Sequence, residues 1–179
     1  MPDLSRIVQQ FGATLTKQDG STIVGTLKPA QDVRATFHGV FAPRSMLIVS
    51  ANQNVQEGDA VTDPEGNTYL CGAWGNSFFW GSIVALRFVL YYAPHVLAWQ
   101  RNVTTIEPVS GLATATGLRT LGAVPALKEP LAQVKDAGGS KVQSYRLMVA
   151  VPLMLEDWLD GQRVQRVENA GGLYYAETL

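Results

Sequence analysis

Four carboxylates lie within nine positions of one short stretch, VQEGDAVTDPEGNTYLCG, which covers residues 55–72. Clustered carboxylates can hold calcium or perform general acid–base catalysis. An EF-hand loop that began at Asp59 would need an oxygen ligand at position 3, glycine at position 6 and glutamate at position 12. Those positions hold Val61, Pro64 and Leu70. We therefore interpret the cluster as solvated charges at two turns; its members are Glu57, Asp59, Asp63 and Glu65.

Other reactive side chains are few and widely spaced. His38, Cys71 and His95 do not have the short spacings of a zinc site. The chain lacks a GxSxG motif, and its glycine clusters fit neither phosphate-binding pattern. We expect no catalytic, cofactor-binding or metal-binding residue and no cofactor. Because triads assemble from distant positions, a hydrolase built on Asp59, Asp63 or His38 stays an alternative.

Aromatic residues are the remaining concentration of potential function. Aromatic rings can stack on bases or sugars, but no basic residue lies between positions 74 and 80 to hold a phosphate. Trp and Tyr are common anchors of protein interfaces, so we expect a core or subunit-interface role. A sugar- or lipid-binding barrel that uses Trp74, Phe79 and Trp80 is the alternative. The interface candidates are Trp74, Phe78, Phe79, Trp80, Tyr91, Tyr92 and Trp99.

The elements that must position these residues are almost all strands. One amphipathic helix is predicted over residues 4–11, with Gly12 as its stop. Strands are predicted over 13–17 and 21–27, 33–41, 46–50, 103–109, 142–151, 164–168 and 173–176. The sequence therefore predicts a mainly β fold: a small antiparallel β-barrel or sandwich with long loops and a short N-terminal helix.

The interpretation of the middle of the chain depends on three stretches. Asp63-Pro64-Glu65-Gly66 fits a type I turn at each position. Residues 72–81, GAWGNSFFWG, indicate a loop or hairpin tip. The apolar run 82–99 contains Arg87 and is broken by Pro94, so we expect two buried strands and not a membrane helix.

We expect three segments. Residues 1–109 form a barrel-like core with the helix and an aromatic hairpin. Residues 110–140 are rich in Gly, Ala, Thr and Pro and indicate a linker or projecting loop, with a short helix possible from Pro130. Residues 141–179 form a C-terminal β segment that packs on the core or makes a second small β unit. Residues 57–72 and 160–177 share a turn–strand–turn–strand pattern, from either an internal duplication or the residue choices common to hairpins.

Composition excludes some classes of protein. The chain has 179 residues, 46% hydrophobic, and can bury a core. Charged residues make up only 16%, against about 25% in typical soluble domains, which favours an assembly component. The net charge of −1 and the scattered cations provide no field for gripping nucleic acid. A single cysteine excludes an intrachain disulfide, and the first residues lack a signal-peptide pattern.

The phrases FGATLTKQDGSTIVGTLKPA, HGVFAP and GDAVTDPEGNTYLCG together resemble the small β-rich proteins that join head and tail in tailed bacteriophages. These neck components are called connectors, adaptors, stoppers or head-closure proteins. The similarity covers residues 11–72, with the related pattern at 160–176. The aromatic block 72–102 and the greater chain length depart from the family pattern.

The resemblance implies a non-enzymatic virion protein that is assembled in the host cytoplasm. It would form a homo-oligomeric ring between the portal and the tail, lining or closing the DNA channel. Its partners would be the portal or other neck and tail proteins, with non-specific proximity to DNA and no membrane. Another tail or baseplate structural part is the alternative.

Overall fold

The computed structural model describes residues 12–30, 41–79, 82–111, 113–135 and 141–179. These ranges contain twelve β-strands and no helix, which confirms the mainly β prediction. The helix predicted over 4–11 and nearly all of the strand predicted over 33–41 lie outside the described residues.

The strands of the first barrel have 3 to 12 residues, and the second barrel includes one of 23 residues. In chain order they are β1 Ala13–Lys17, β2 Thr22–Pro29, β3 Ser45–Ser50, β4 Ala60–Thr62, β5 Thr68–Phe79, β6 Ser82–Tyr92, β7 His95–Ile106, β8 Ala113–Lys135, β9 Lys141–Val149, β10 Trp158–Leu159, β11 Gln162–Ala170 and β12 Leu173–Thr178.

Two closed antiparallel barrels of six strands make up the fold. The first has the strand order β1-β2-β3-β6-β5-β4, and the second has β7-β8-β9-β12-β11-β10. The second order is the first with six added to each number, so one topology occurs twice in tandem. The boundary falls at Ala93 and Pro94, between β6 and β7. The second unit therefore begins well before residue 141, and the predicted core of residues 1–109 includes β7 of the second barrel.

Strand registers make the two barrels equivalent residue by residue. For example, β2 pairs with β3 at Gly25–Val49, and β8 pairs with β9 at the equivalent position, Ala126–Val149. Each barrel interior is filled by apolar residues from alternate positions of its strands. The equivalent buried pairs are Leu15 and Leu97, Ile23 and Val124, Leu47 and Leu147, Val49 and Val149, Val55 and Leu153, and Val61 and Leu159.

The barrels pack against each other through a shared apolar cluster. Ala60, Leu70, Val89 and Tyr91 contribute from the first barrel, and its other members are Phe41, Ala93, Met148, Leu173 and Tyr175. Strand β6 therefore buries Phe88 and Leu90 inside its barrel and Val89 and Tyr91 between barrels. A strand buried on both faces is apolar throughout and does not alternate. Residues 88–91 are apolar for this reason. The prediction of two strands over 82–99 is confirmed, but β7 is not buried on both faces, since Val96 is 69% exposed.

Two local predictions are wrong. Residues 110–140 are mostly one strand, β8, which spans roughly 75 Å at ~3.3 Å per residue. Pro130 and Leu131 lie within this strand and start no helix. Of the two alternatives for residues 72–81, the hairpin is present over the described residues: residues 72–79 continue β5 and pair with β6 as far as Phe79–Ser82.

Candidate functional site

The four carboxylates of residues 57–65 lie at turns. Asp63 Oδ1 accepts the backbone N–H groups of Glu65 and Asn67, at 2.9 and 2.8 Å, and the Gly66 N–H donates to the Asp63 carbonyl at 3.0 Å. The predicted turn is therefore present. Burial opposes ionisation of Asp63, but hydrogen bonds from Asn67, Tyr69 and Glu65 outweigh it and hold the pKa of this carboxyl below its usual value. Within the described ranges, no group of three His, Cys, Asp or Glu residues could hold a metal ion.

Asp59 lies in the loop that leads into β4, and its side chain contacts β1. Its Oδ2 accepts the Gln56 N–H at 2.8 Å and lies 2.9 Å from Lys17 Nζ, at the end of β1. The Asp59 side chain is 23% exposed. The ion pair joins the segment that leads into β4 to its neighbouring strand, which is a structural role.

The second barrel repeats this arrangement with a buried aspartate. Asp157 is 1% exposed, and its Oδ1 accepts from Arg101 Nε at 2.6 Å. Its Oδ2 accepts from Arg101 Nη2 at 2.8 Å, from Trp99 Nε1 at 3.0 Å and from the Met154 N–H at 2.9 Å. Burial opposes ionisation of this carboxyl, but these donors outweigh it and keep the pKa of Asp157 below its usual value.

The equivalence of Asp59 and Asp157 extends to the backbone. The Asp59 N–H donates to the Gln56 carbonyl and the Asp157 N–H to the Met154 carbonyl, both at 3.2 Å. The preceding residue has positive φ in both barrels, 85° at Gly58 and 72° at Glu156. The pattern shared by residues 57–72 and 160–177 does not match equivalent strands. It sets β4 and β5 against β11 and β12, whereas their equivalents in the second barrel are β10 and β11.

The structure gives three of the seven aromatic candidates internal contacts. Tyr91 is buried between the barrels. The Tyr92 ring lies 4.6 Å from the Arg44 guanidinium carbon and 5.7 Å from the Tyr69 ring, and Trp99 donates to Asp157. Phe78 is 65% exposed. The side chains of Trp74 and Phe79, and the whole of Trp80, lie outside the described part of the chain.

Cys71 lies in the first barrel's core and is fully buried. Burial raises the pKa of its thiol, so the reactive thiolate is scarce as well as inaccessible. We expect a maleimide to label the folded chain very slowly and the urea-unfolded chain at once. Thr116→Cys, at an exposed strand position, is the control and should react within the mixing time. Rapid labelling of the native wild-type chain would contradict the burial.

Two hairpins present apolar side chains to solvent. No charged residue lies between Gly72 and Leu86, where the far ends of β5 and β6 pair. Phe78 and Ile83 are cross-strand partners there and are 65% and 43% exposed. The second hairpin, formed by β7 and the first half of β8, exposes five large apolar side chains: Val103, Ile106, Val109, Leu118 and Leu121.

A shallow depression in the second barrel lies beside Pro94 and His95. Its charged side chains make internal contacts: Lys128 Nζ lies 4.0 Å from the centre of the Tyr145 ring, and Asp160 Oδ1 accepts the Ala98 N–H at 2.8 Å. The exposed hairpins are therefore the stronger candidate for a functional site.

No known protein family, curated protein or solved structure matches this chain. Among the described residues, no helix is long and apolar enough to span a membrane. The class that the fold itself defines is a tandem pair of six-stranded antiparallel barrels with projecting hairpins.

Proposed function

We propose that this chain is a non-enzymatic structural subunit of a tailed-phage particle. In this proposal it forms a homo-oligomeric neck ring that joins the portal to the tail and lines or closes the DNA channel. It would be assembled in the host cytoplasm and retained in the virion. The observation that carries the proposal is the pair of exposed hairpins. One exposes Phe78 and Ile83 with no charged residue between Gly72 and Leu86, and the other exposes the apolar residues of 103–121 beside Glu107 and Arg119. Apolar surface of this kind is typical of protein-interaction sites.

The double barrel suits a scaffold that holds these hairpins in fixed positions. Closed barrels leave no free edge in their walls, and the cluster around Tyr91, Met148 and Tyr175 fixes one barrel against the other. Arg101, near the base of the second hairpin, pairs with the buried Asp157. Binding through the hairpins would rest mainly on apolar packing and backbone hydrogen bonds, with Glu107 and Arg119 as charged residues on the second hairpin.

The test is association with particles from cells that carry this gene. After banding on a density gradient, we expect the chain in the particle band at a fixed ratio to the major particle proteins. Labelled antibody should lie at the junction of head and tail. Label elsewhere on the tail or at the baseplate would favour the alternative tail or baseplate role, and a chain confined to the soluble fraction would refute both.

A shortened variant links this function to a hairpin. Replacing residues 103–117 by Asn-Gly joins Asn102 to Leu118, which are cross-strand partners, through a two-residue turn. Because residues 103–117 lie outside both barrel interiors, the variant should unfold at nearly the wild-type denaturant concentration and still be lost from particles. Normal incorporation of the variant would exclude this hairpin from the binding surface.

A further inference from the structure

The hairpin of β7 and β8 extends beyond the barrel wall with both outer edges open. Strand β7 pairs with β10 only at Trp99 and Gln100, and β8 pairs with β9 only from Ala126 onward. Residues 102–106 and 113–123 therefore have a partner strand on one side only. In an antiparallel pair, about half of the N–H and C=O groups on each strand point away from the partner. Both edges present these groups to solvent.

The two edges carry few of the features that usually prevent strand addition. Proteins protect exposed edges with charged residues, Pro, β-bulges or very short strands. Here these features are limited to Arg119 and to two irregularities of the β7–β8 pairing, at Trp99–Gln100 and Thr105–Ile106. Residues 102–106 and 113–118 contain no charged residue and no proline. Thr is frequent in both strands, and Thr104 and Thr116 face each other with their hydroxyl oxygens 3.3 Å apart. Thr favours strands, so the hairpin is suited to pairing along its edges.

We propose that copies of this chain pair head to tail through this hairpin, with the outer edge of β7 in one copy bonded to the outer edge of β8 in the next. The inference rests on the proposed function and names the contact that would build its ring. The strands of the hairpin are antiparallel, so adding β7 of a neighbour beside β8 continues the alternation of directions.

The partner strand comes from a second copy of this chain because each copy offers both a β7 edge and a β8 edge. A foreign strand would cover one edge and leave the other exposed. A two-fold pairing, β7 with β7 or β8 with β8, would also leave one edge of each copy open. Head-to-tail pairing satisfies both edges of every copy when the ring closes. It would also bring Val103, Ile106 and Leu118, all exposed in the single chain, beside the neighbouring strands.

Mixed-disulfide formation tests this pairing. Thr104→Cys places a thiol on β7 and Thr116→Cys places one on β8, both at exposed positions. Each variant is purified separately, checked for wild-type thermal unfolding, and oxidised alone and as an equimolar mixture at the highest soluble concentration. We expect disulfide-linked dimers in the mixture, at least tenfold more than in either variant alone. Thr16→Cys is the control partner for Thr104→Cys, because Thr16 is exposed on a strand paired on both sides.

The possible results separate the contact from the function. Dimers of a single variant alone would overturn head-to-tail pairing in favour of a two-fold contact. Equal cross-linking to Thr16→Cys, or a mixture that stays monomeric, would also overturn the inference. In these cases, particle association measured on the wild-type chain still decides the proposed function independently.

Discussion

Replacing Asp157 with alanine is expected to lower the free energy of unfolding by about 3 kcal/mol. Asp157 is 1% exposed, and its loss leaves the Trp99 and Met154 N–H groups and the Arg101 guanidinium without their acceptor. Removing one member of a buried pair costs about 3–5 kcal/mol when the remaining charge stays buried. Arg101 is 27% exposed and can regain some water, which places the expected cost at the lower end.

The first barrel contains the matched control. Asp59→Ala removes the equivalent carboxylate, but the Asp59 side chain is 23% exposed and accepts from fewer donors, the Gln56 N–H and Lys17 Nζ. We expect a smaller loss, about 1–2 kcal/mol, because Lys17 keeps the Asn54 carbonyl as a hydrogen-bond partner. Urea unfolding of both variants, compared at equal m-value, measures the difference. Equal losses would contradict the assignment of Asp157 as the stronger anchor.

The pH dependence of the free energy of unfolding provides a second test of the role of Asp157. The folded-state pKa of Asp157 is lowered, so its contribution is full above the unfolded-state pKa and is lost as the pH falls through the folded-state pKa. Wild-type stability should therefore fall as the pH drops below about 5. Asp157→Asn keeps the shape of the side chain without its charge and should make this fall shallower. An unchanged slope would show that other carboxyls, such as Asp63, dominate acid unfolding.

Local turn chemistry made part of the fold predictable. The hairpin around Asp19-Gly20 and the turn from Asp63 to Gly66 depend on side-chain and backbone preferences within four residues. Strands β9 and β12 were also predicted, because each buries residues on the inside of a barrel. The interpretation of the carboxylates as turn residues followed from the same local rules.

Burial that involves distant segments could not be predicted in the same way. The first half of β8 is exposed, so it has no apolar alternation from which a strand could be identified. The barrel boundary at residue 93 lies inside a continuous apolar run because β6 is buried on both faces. Asp157 is 58 residues from Trp99 in sequence, and no local pattern links the two. The sequence feature that comes closest to indicating the role of Asp157 is the similarity of Glu156-Asp157 to Gly58-Asp59. This similarity becomes clear only once the strands of the two barrels are aligned.

The contact between the barrels depends on a close approach of two turns. Gly58 precedes β4 of the first barrel, and Gly172 lies in the turn between β11 and β12 of the second. A Cβ atom at Gly58 would lie 2.7 Å from the Gly172 carbonyl oxygen and 3.0 Å from the Gly172 Cα. Backbone atoms in a turn cannot rotate away as a side chain can. A larger residue at this position must therefore separate the barrels locally.

Gly58→Ala is accordingly expected to destabilise the protein by about 3 kcal/mol, with about 1 kcal/mol from positive φ and the rest from overpacking. Gly66→Ala is the control, because Gly66 has a φ of 87°, close to the 85° of Gly58, and nothing within 4 Å of its Cβ position. We expect Gly66→Ala to cost only the part that arises from positive φ.

Glu156 occupies the position equivalent to Gly58 with a φ of 72°, so the loop itself tolerates a side chain. The excess cost at Gly58 is then a measure of the contact between barrels, and denaturant unfolding should show it as a lower midpoint or as two separate transitions. Equal costs for the two alanine variants would mean that the turns do not approach this closely in solution.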